Sequence, residues 1–90
     1  MPLIEIYTTG YCSYCNAAKA LLRRKGVVFT EIDVGGDRER RTEMIERANG
    51  GMTVPQIFIG SVHVGGCDDL YELEAEGQLD ALLAGDEASA

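Results

Sequence analysis

The chain has 90 residues, 46% of them hydrophobic and 26% charged, which suits one globular domain over residues 1–90 and excludes a disordered polar chain. No apolar run approaches the roughly 18–20 residues that span a bilayer, and Met1-Pro2-Leu3-Ile4-Glu5 lacks the basic flank and apolar stretch of a signal peptide, so a reducing, cytoplasmic setting is expected. A net charge of −7 argues against nucleic acid as a partner, because phosphate binding needs clustered Lys and Arg.

Taken in order, Leu3 to Thr8 alternates in character and stops at Gly10, which predicts a first strand. Ser13 to Lys25 favours a helix with Ala17, Ala18, Ala20, Leu21 and Leu22 on its apolar face, and Gly26 stands where a helix-ending glycine belongs. Val27 to Val34 is rich in β-branched residues and predicts a second strand. Gly35-Gly36 breaks the chain. Asp37 is placed to cap a charged helix that turns Met44, Ile45 and Ala48 inward and ends at Asn49-Gly50-Gly51. The basic residues of both helices, Lys19 to Lys25 and Arg38 to Arg47, read as solvated faces. Gln56 to Ile59 and Val62 to Val64 predict a hairpin turning at Gly60-Ser61. After Gly65-Gly66 a last helical region begins, with Asp68 or Asp69 as its cap and Leu70, Leu73, Leu79, Leu82 and Leu83 for packing. Gly77 divides that region, and the tail from Gly85 to Ala90 is expected to fray. Two strands joined by a helix imply a parallel crossover, and the hairpin adds antiparallel strands. The expected result is an α/β fold: a mixed sheet of four strands with helices on both faces.

Three cysteines are too few and too odd a set for a disulfide-stapled mini-domain. Two of them stand as Cys12-Ser13-Tyr14-Cys15, where the first strand meets the first helix. Free N–H groups at a helix N-terminus favour negative charge, and the thiolate is the nucleophilic form of cysteine. A free thiol near pKa ~8.5 is only about 3% ionised at neutral pH, whereas such sites bring it into the range of ~3.5–7.5. Cys12, nearer the helix end and more exposed, is the expected nucleophile. Cys15, one turn on and deeper, is placed to resolve a mixed disulfide. A zinc site is the rival reading of the same thiols, since Cys12, Cys15, Cys67 and His63 make up a Cys₃His set. His63 falls in a strand, however, and no second Cys-x-x-Cys accompanies the first. Thr53-Val54-Pro55 puts proline at the start of a strand, where it is tolerated, and base rates favour a trans bond there. Gly65-Gly66-Cys67-Asp68-Asp69 reads as a turn entering a helix, whose free N–H groups can hold a carboxylate.

These three segments, in this order, resemble the glutaredoxin family, and its short bacterial dithiol members in particular. The resemblance covers roughly residues 3 to 84 and includes Gln56-Ile57-Phe58-Ile59. It implies a thioredoxin fold, with the sheet of four strands flanked by three or more helices, and Pro55 in cis. It implies glutathione as co-substrate, and protein disulfides or glutathionylated thiols as substrates of a glutathione-disulfide oxidoreductase. By the same resemblance, the backbone of Val54 pairs with the cysteinyl part of glutathione while Thr53 and Tyr14 line the groove. Gly66, Cys67, Asp68 and Asp69 hold its γ-glutamyl end, with Asp68 or Asp69 near the ammonium. Arg41, or failing that Arg40, meets the glycine carboxylate.

Two positions depart from the pattern. Thr8 replaces a lysine frequent in the family, which implies a less acidic Cys12 or weaker glutathione docking. Ser13 replaces a common proline, restoring a backbone N–H and freeing φ. Members with serine there resemble those that bind a [2Fe–2S] cluster, so the alternative to a monomeric reductase is a dimer bridged by a cluster through Cys12 and two glutathiones. A thioredoxin-like protein reduced by a flavoenzyme fits less well, for the chain lacks Trp altogether. Cys67 reads as a small residue opening a helix, or else as a thiol open to oxidation.

Overall fold

The computed structural model describes residues 2–85. Its elements in chain order are β1 (Ile4–Thr8), α1 (Ser13–Arg24), β2 (Thr30–Asp33), α2 (Arg38–Arg47), β3 (Gln56–Ile59), β4 (Val62–Gly65), α3 (Cys67–Ala75) and α4 (Leu79–Leu83). The strands form one mixed sheet in the order β2-β1-β3-β4. β1 runs parallel to β2, from Glu5↔Thr30 to Thr8↔Asp33, and antiparallel to β3, from Ile4↔Ile59 to Tyr7↔Gln56. β3 and β4 form the antiparallel hairpin, with Phe58 opposite His63. Among the described residues no helix is long and apolar enough to cross a membrane.

Alternation along the strands sends successive side chains to opposite faces. Ile4, Ile6, Ile57 and Ile59 point to one side, where they pack with Ala18, Leu21 and Leu22 of α1, Leu70 of α3, and Leu79 and Leu83 of α4. Burying each of these large side chains is worth about 1.5–3 kcal/mol relative to exposure. Tyr7 and Phe58 point to the other side and meet Val34 with Met44 and Ala48 at and beyond α2. That smaller side is tied by polar groups. Arg47 donates to Glu5 Oε1 at 2.9 Å and to the Tyr7 hydroxyl at 2.8 Å, and Tyr7 donates to Glu43 at 2.6 Å.

Three expected boundaries move. β2 begins at Thr30 rather than Val27, because β1 offers pairing partners only from Thr30 onward. Val27 and Phe29 instead pack against the larger core, and Val28 is 89% exposed. The cap of α3 is Gly66, not Asp68 or Asp69, which both lie in its first turn. β4 extends to Gly65. Asp37 caps α2 as expected, accepting from the Arg40 N–H at 3.0 Å. Gly77, in the left-handed region at φ 74°, separates α3 from α4. Of the tail expected to fray, all but Gly85 lies outside the described residues.

Candidate active site

Cys12 is the N-cap residue of α1. Its backbone is extended (φ −136°, ψ 107°) and its side chain accepts from the Cys15 N–H at 3.1 Å. A cap oxygen ordinarily satisfies one of the free N–H groups at a helix start. Here sulfur does so, and the same N–H stabilises negative charge on it. No acidic residue stands in the first turn of α1 to oppose that charge. Cys12 is half-buried, whereas Cys15 is buried.

Burial pushes the Cys15 thiol up, to about 12; its hydrogen bond to Cys12 and the Cys12 charge add to the rise, while a backbone bond from Thr9 and the Lys19 ammonium oppose it. In the reduced pair the proton therefore stays on Cys15. Cys67, the first residue of α3, is also buried and free. Burial, then Asp68, then Cys12 push its thiol up, which makes it a poor nucleophile at neutral pH.

Where the lysine frequent in the family would stand, Thr8 is buried and donates to Glu31 Oε2 at 2.7 Å. Lys19 of α1 reaches the same carboxylate oxygen at 2.9 Å. The two contacts hold the Glu31 carboxyl below its usual range, with the Thr8 hydroxyl the larger cause. The cation paired with this carboxylate thus belongs to a helix rather than to β1.

The Val54–Pro55 peptide is cis, as the family resemblance implied and base rates did not. Cys12 Sγ lies 3.9 Å from the Val54 carbonyl oxygen, to which its thiol form donates. Beside it runs a groove of about 490 Å³. Tyr14 of α1 lines one part, and Thr53, Val54 and Pro55 another; Gly66, Cys67, Asp68 and Asp69 close the end at α3. Gly65 and Gly66 let the chain turn tightly into α3. Gly65 has φ 112°, and a Cβ there would collide with the Asp69 carboxylate. Asp69 Oδ2 accepts from the Gly66 N–H at 2.9 Å, which fixes that carboxylate across the turn.

Arg41 is not brought to this groove. It borders a separate depression of about 320 Å³ with Val34, Gly36, Asp37 and Arg38. Its guanidinium donates at 3.4 Å to the carbonyl of Met52, the residue before Thr53. The groove also takes in two side chains not expected there, Gln56 and His63. The hairpin register could have found them, since Phe58 opposite His63 places Gln56, Phe58 and His63 on one face. His63 bonds to Gln56 instead of joining the cysteines. Among the described residues no three His, Cys, Asp or Glu side chains converge in a way that could hold a metal ion.

Comparison with known proteins agrees with this architecture. The glutaredoxin family model matches residues 4–64. A glutaredoxin of Pseudomonas aeruginosa is 58% identical over 84 residues, covering 93% of this chain and 99% of that one. The solution structure of a glutaredoxin from Brucella melitensis superposes with a TM-score of 0.80 at 61% identity, covering 92% of this chain and 89% of the other. The crystal structure of a buckwheat glutaredoxin–glutathione complex gives a TM-score of 0.84 at 28% identity, with 93% and 78% of the two chains covered.

Proposed function

Since this chain belongs to the glutaredoxin family of thiol–disulfide oxidoreductases, we propose that it reduces protein disulfides and glutathione mixed disulfides at the expense of glutathione. The observation that carries this reading is the position of Cys12 Sγ. It caps α1, receives the Cys15 N–H, and stands 3.9 Å from the Val54 carbonyl at the side of the groove.

With a glutathionylated substrate, the Cys12 thiolate attacks the glutathione sulfur. A Cys12–glutathione disulfide forms and the substrate leaves as a thiolate. A second glutathione thiolate then attacks the glutathione sulfur of that disulfide, yielding oxidised glutathione and the Cys12 thiolate. With a protein disulfide, Cys12 becomes linked to one substrate sulfur and releases the other. Cys15 then loses its proton to solvent and attacks Cys12 Sγ, which frees the second substrate thiolate and leaves a Cys12–Cys15 disulfide. Two glutathiones reduce it. The hydrogen bond and charge of Cys12 that help keep Cys15 protonated disappear once Cys12 is in a mixed disulfide. Resolution is thereby favoured only after attack.

In this reading the groove takes glutathione. The Val54 backbone pairs with its cysteinyl part, Thr53 and Tyr14 flank it, and the Asp68 and Asp69 carboxylates attract its ammonium. The Arg41 guanidinium, beside Met52, is the cation available for the glycine carboxylate.

The test is turnover of the mixed disulfide of glutathione and 2-mercaptoethanol, with glutathione as reductant. Cys12→Ser is expected to lose roughly 10³-fold or more in rate, the scale of removing a nucleophile. Cys15→Ser keeps this reaction but loses reduction of protein disulfides. Full activity in Cys12→Ser overturns the assignment.

A second reading, a dimer holding a [2Fe–2S] cluster, is favoured by the pairing of Ser13 with the accessibility of Cys12. Cys12 is half-buried while Cys15 and Cys67 are buried, so one chain presents one accessible thiol. The remaining ligands must come from glutathione and a second chain, and a bound cluster would supply electron transfer. Anaerobic purification with glutathione decides it: iron and labile sulfide in the dimer support the reading, and a colourless monomer overturns it.

A further inference from the structure

On the α2 side of the sheet, a run of side chains leads from the hairpin to the segment beside Cys12. Gln56 Nε2 donates to the Thr53 carbonyl at 3.0 Å. Its Oε1 lies 2.7 Å from His63 Nε2. The His63 ring stacks on Phe58, centroids 4.8 Å apart and planes 23° apart. The Arg47 guanidinium lies 4.2 Å from the centroid of that same Phe58 ring and is itself fixed by Glu5 and Tyr7.

Elementary hydrogen-bond accounting orients the run. The Thr53 carbonyl can only accept, so the Gln56 nitrogen must face it and the Gln56 oxygen must face His63. That oxygen can only accept, so His63 carries a proton on Nε2. Gln56 is only 5% exposed, and it lies tucked under the Gly51 turn: a Cβ on Gly51 would stand 3.0 Å from Gln56 Nε2. A buried amide so enclosed has few other partners, and losing one leaves a polar atom unsatisfied.

We infer that His63 is a positioning residue, holding the Thr53-Val54-Pro55 segment through the Gln56 amide at its distance from Cys12 Sγ. The inference rests on the proposed role of that segment in docking the disulfide substrate. His63 acts through Gln56, whose amide oxygen its Nε2 meets at 2.7 Å. Its ring supplies two things: a flat face for Phe58 and an N–H for Gln56.

Two variants separate these contributions. His63→Phe keeps a stacking ring and loses the donor. His63→Gln restores an N–H at similar reach and loses the ring. With the mixed disulfide of glutathione and 2-mercaptoethanol, His63→Phe is expected to raise KM about three- to tenfold, the range set by one net hydrogen bond, with kcat within about twofold. His63→Gln is expected to return KM most of the way to wild type. Hydrogen exchange at the Gln56 side-chain amide, whose Nε2 donates to the Thr53 carbonyl, supplies a readout independent of turnover, faster in His63→Phe and restored in His63→Gln. If wild type fails to turn over this substrate, the glutathione reading fails, and the exchange rates alone then judge the positioning role. An unchanged exchange rate of the Gln56 side-chain amide in His63→Phe overturns the inference. So does a rise in KM confined to His63→Gln, which would assign the effect to the ring.

Discussion

Two helix N-termini face the same corner of the molecule and are dressed in opposite ways. α1 opens on Cys12 with no acidic residue in its first turn, and a sulfur caps it. α3 opens on Gly66 with Asp68 and Asp69 in its first turn, and Asp69 bonds back to the Gly66 N–H. The positive end of α1 is left to stabilise a thiolate, an effect typically worth 0.3–1 kcal/mol for an exposed charge. The positive end of α3 is already answered by its own carboxylates, so what it presents to the groove is negative. One end thus favours an attacking anion and the other favours a cationic part of a ligand. Helix polarity alone would have made the two sites alike; the residues of the first turn make them different.

Breaking the α3 end has the largest expected effect. Gly65→Ala introduces a Cβ at φ 112° and against Asp69, and should lower stability by about 2 kcal/mol or more, a fall of roughly 10 °C in Tm for a chain of this size. Asp69→Ala alone should cost about 1 kcal/mol, the usual worth of a lost cap. The two should be less than additive, because removing the carboxylate also removes the collision. A double-variant melting series showing full additivity would contradict this account of the turn.

Making α1 resemble α3 is the next test. Ser13→Asp places a carboxylate in its first turn, adjacent to Cys12. Alkylation of Cys12 at neutral pH should slow about three- to tenfold, by loss of the favourable field and by repulsion. An unchanged rate would mean that the acid-free first turn of α1 has no bearing on the nucleophile.

The smallest effect near neutral pH concerns Cys15, whose thiol is pushed up to about 12 in the folded chain. Below an unfolded value near ~8.5, both states hold the proton and stability is unaffected. As pH rises past that point the unfolded chain gives up the proton and the folded chain keeps it, so the unfolded state binds fewer protons and stability falls. Reduced protein should therefore lose Tm progressively above about pH 8.5. Cys15→Ala should flatten that slope, and identical slopes would contradict the raised thiol.

Much of this was legible in the chain itself. The alternation of Leu3 to Thr8, the apolar face of Ala18, Leu21 and Leu22, and the glycines at 26 and 77 are local signals, and each appears where expected. Cys12 stands at the strand–helix junction, as the local pattern predicts. Expectation and structure part where the deciding partner is distant. Val27, Val28 and Phe29 have strand propensity, yet pairing with β1 begins only at Thr30. Asp68 and Asp69 are good capping residues, yet the chain enters α3 extended at Gly66, so Asp69 serves from inside the helix.

Short-range signals settle the elements and the place of Cys12 and Cys15 at the start of a helix, since periodicity, turn chemistry and a helix N-terminus act over a few residues. Packing between distant segments sets what surrounds that pair. It brought Val54 within 3.9 Å of Cys12 across 42 positions, buried Cys15, and set His63 against Gln56 and Phe58. Burial and hydrogen bonding between segments far apart in the chain are properties of the assembled fold.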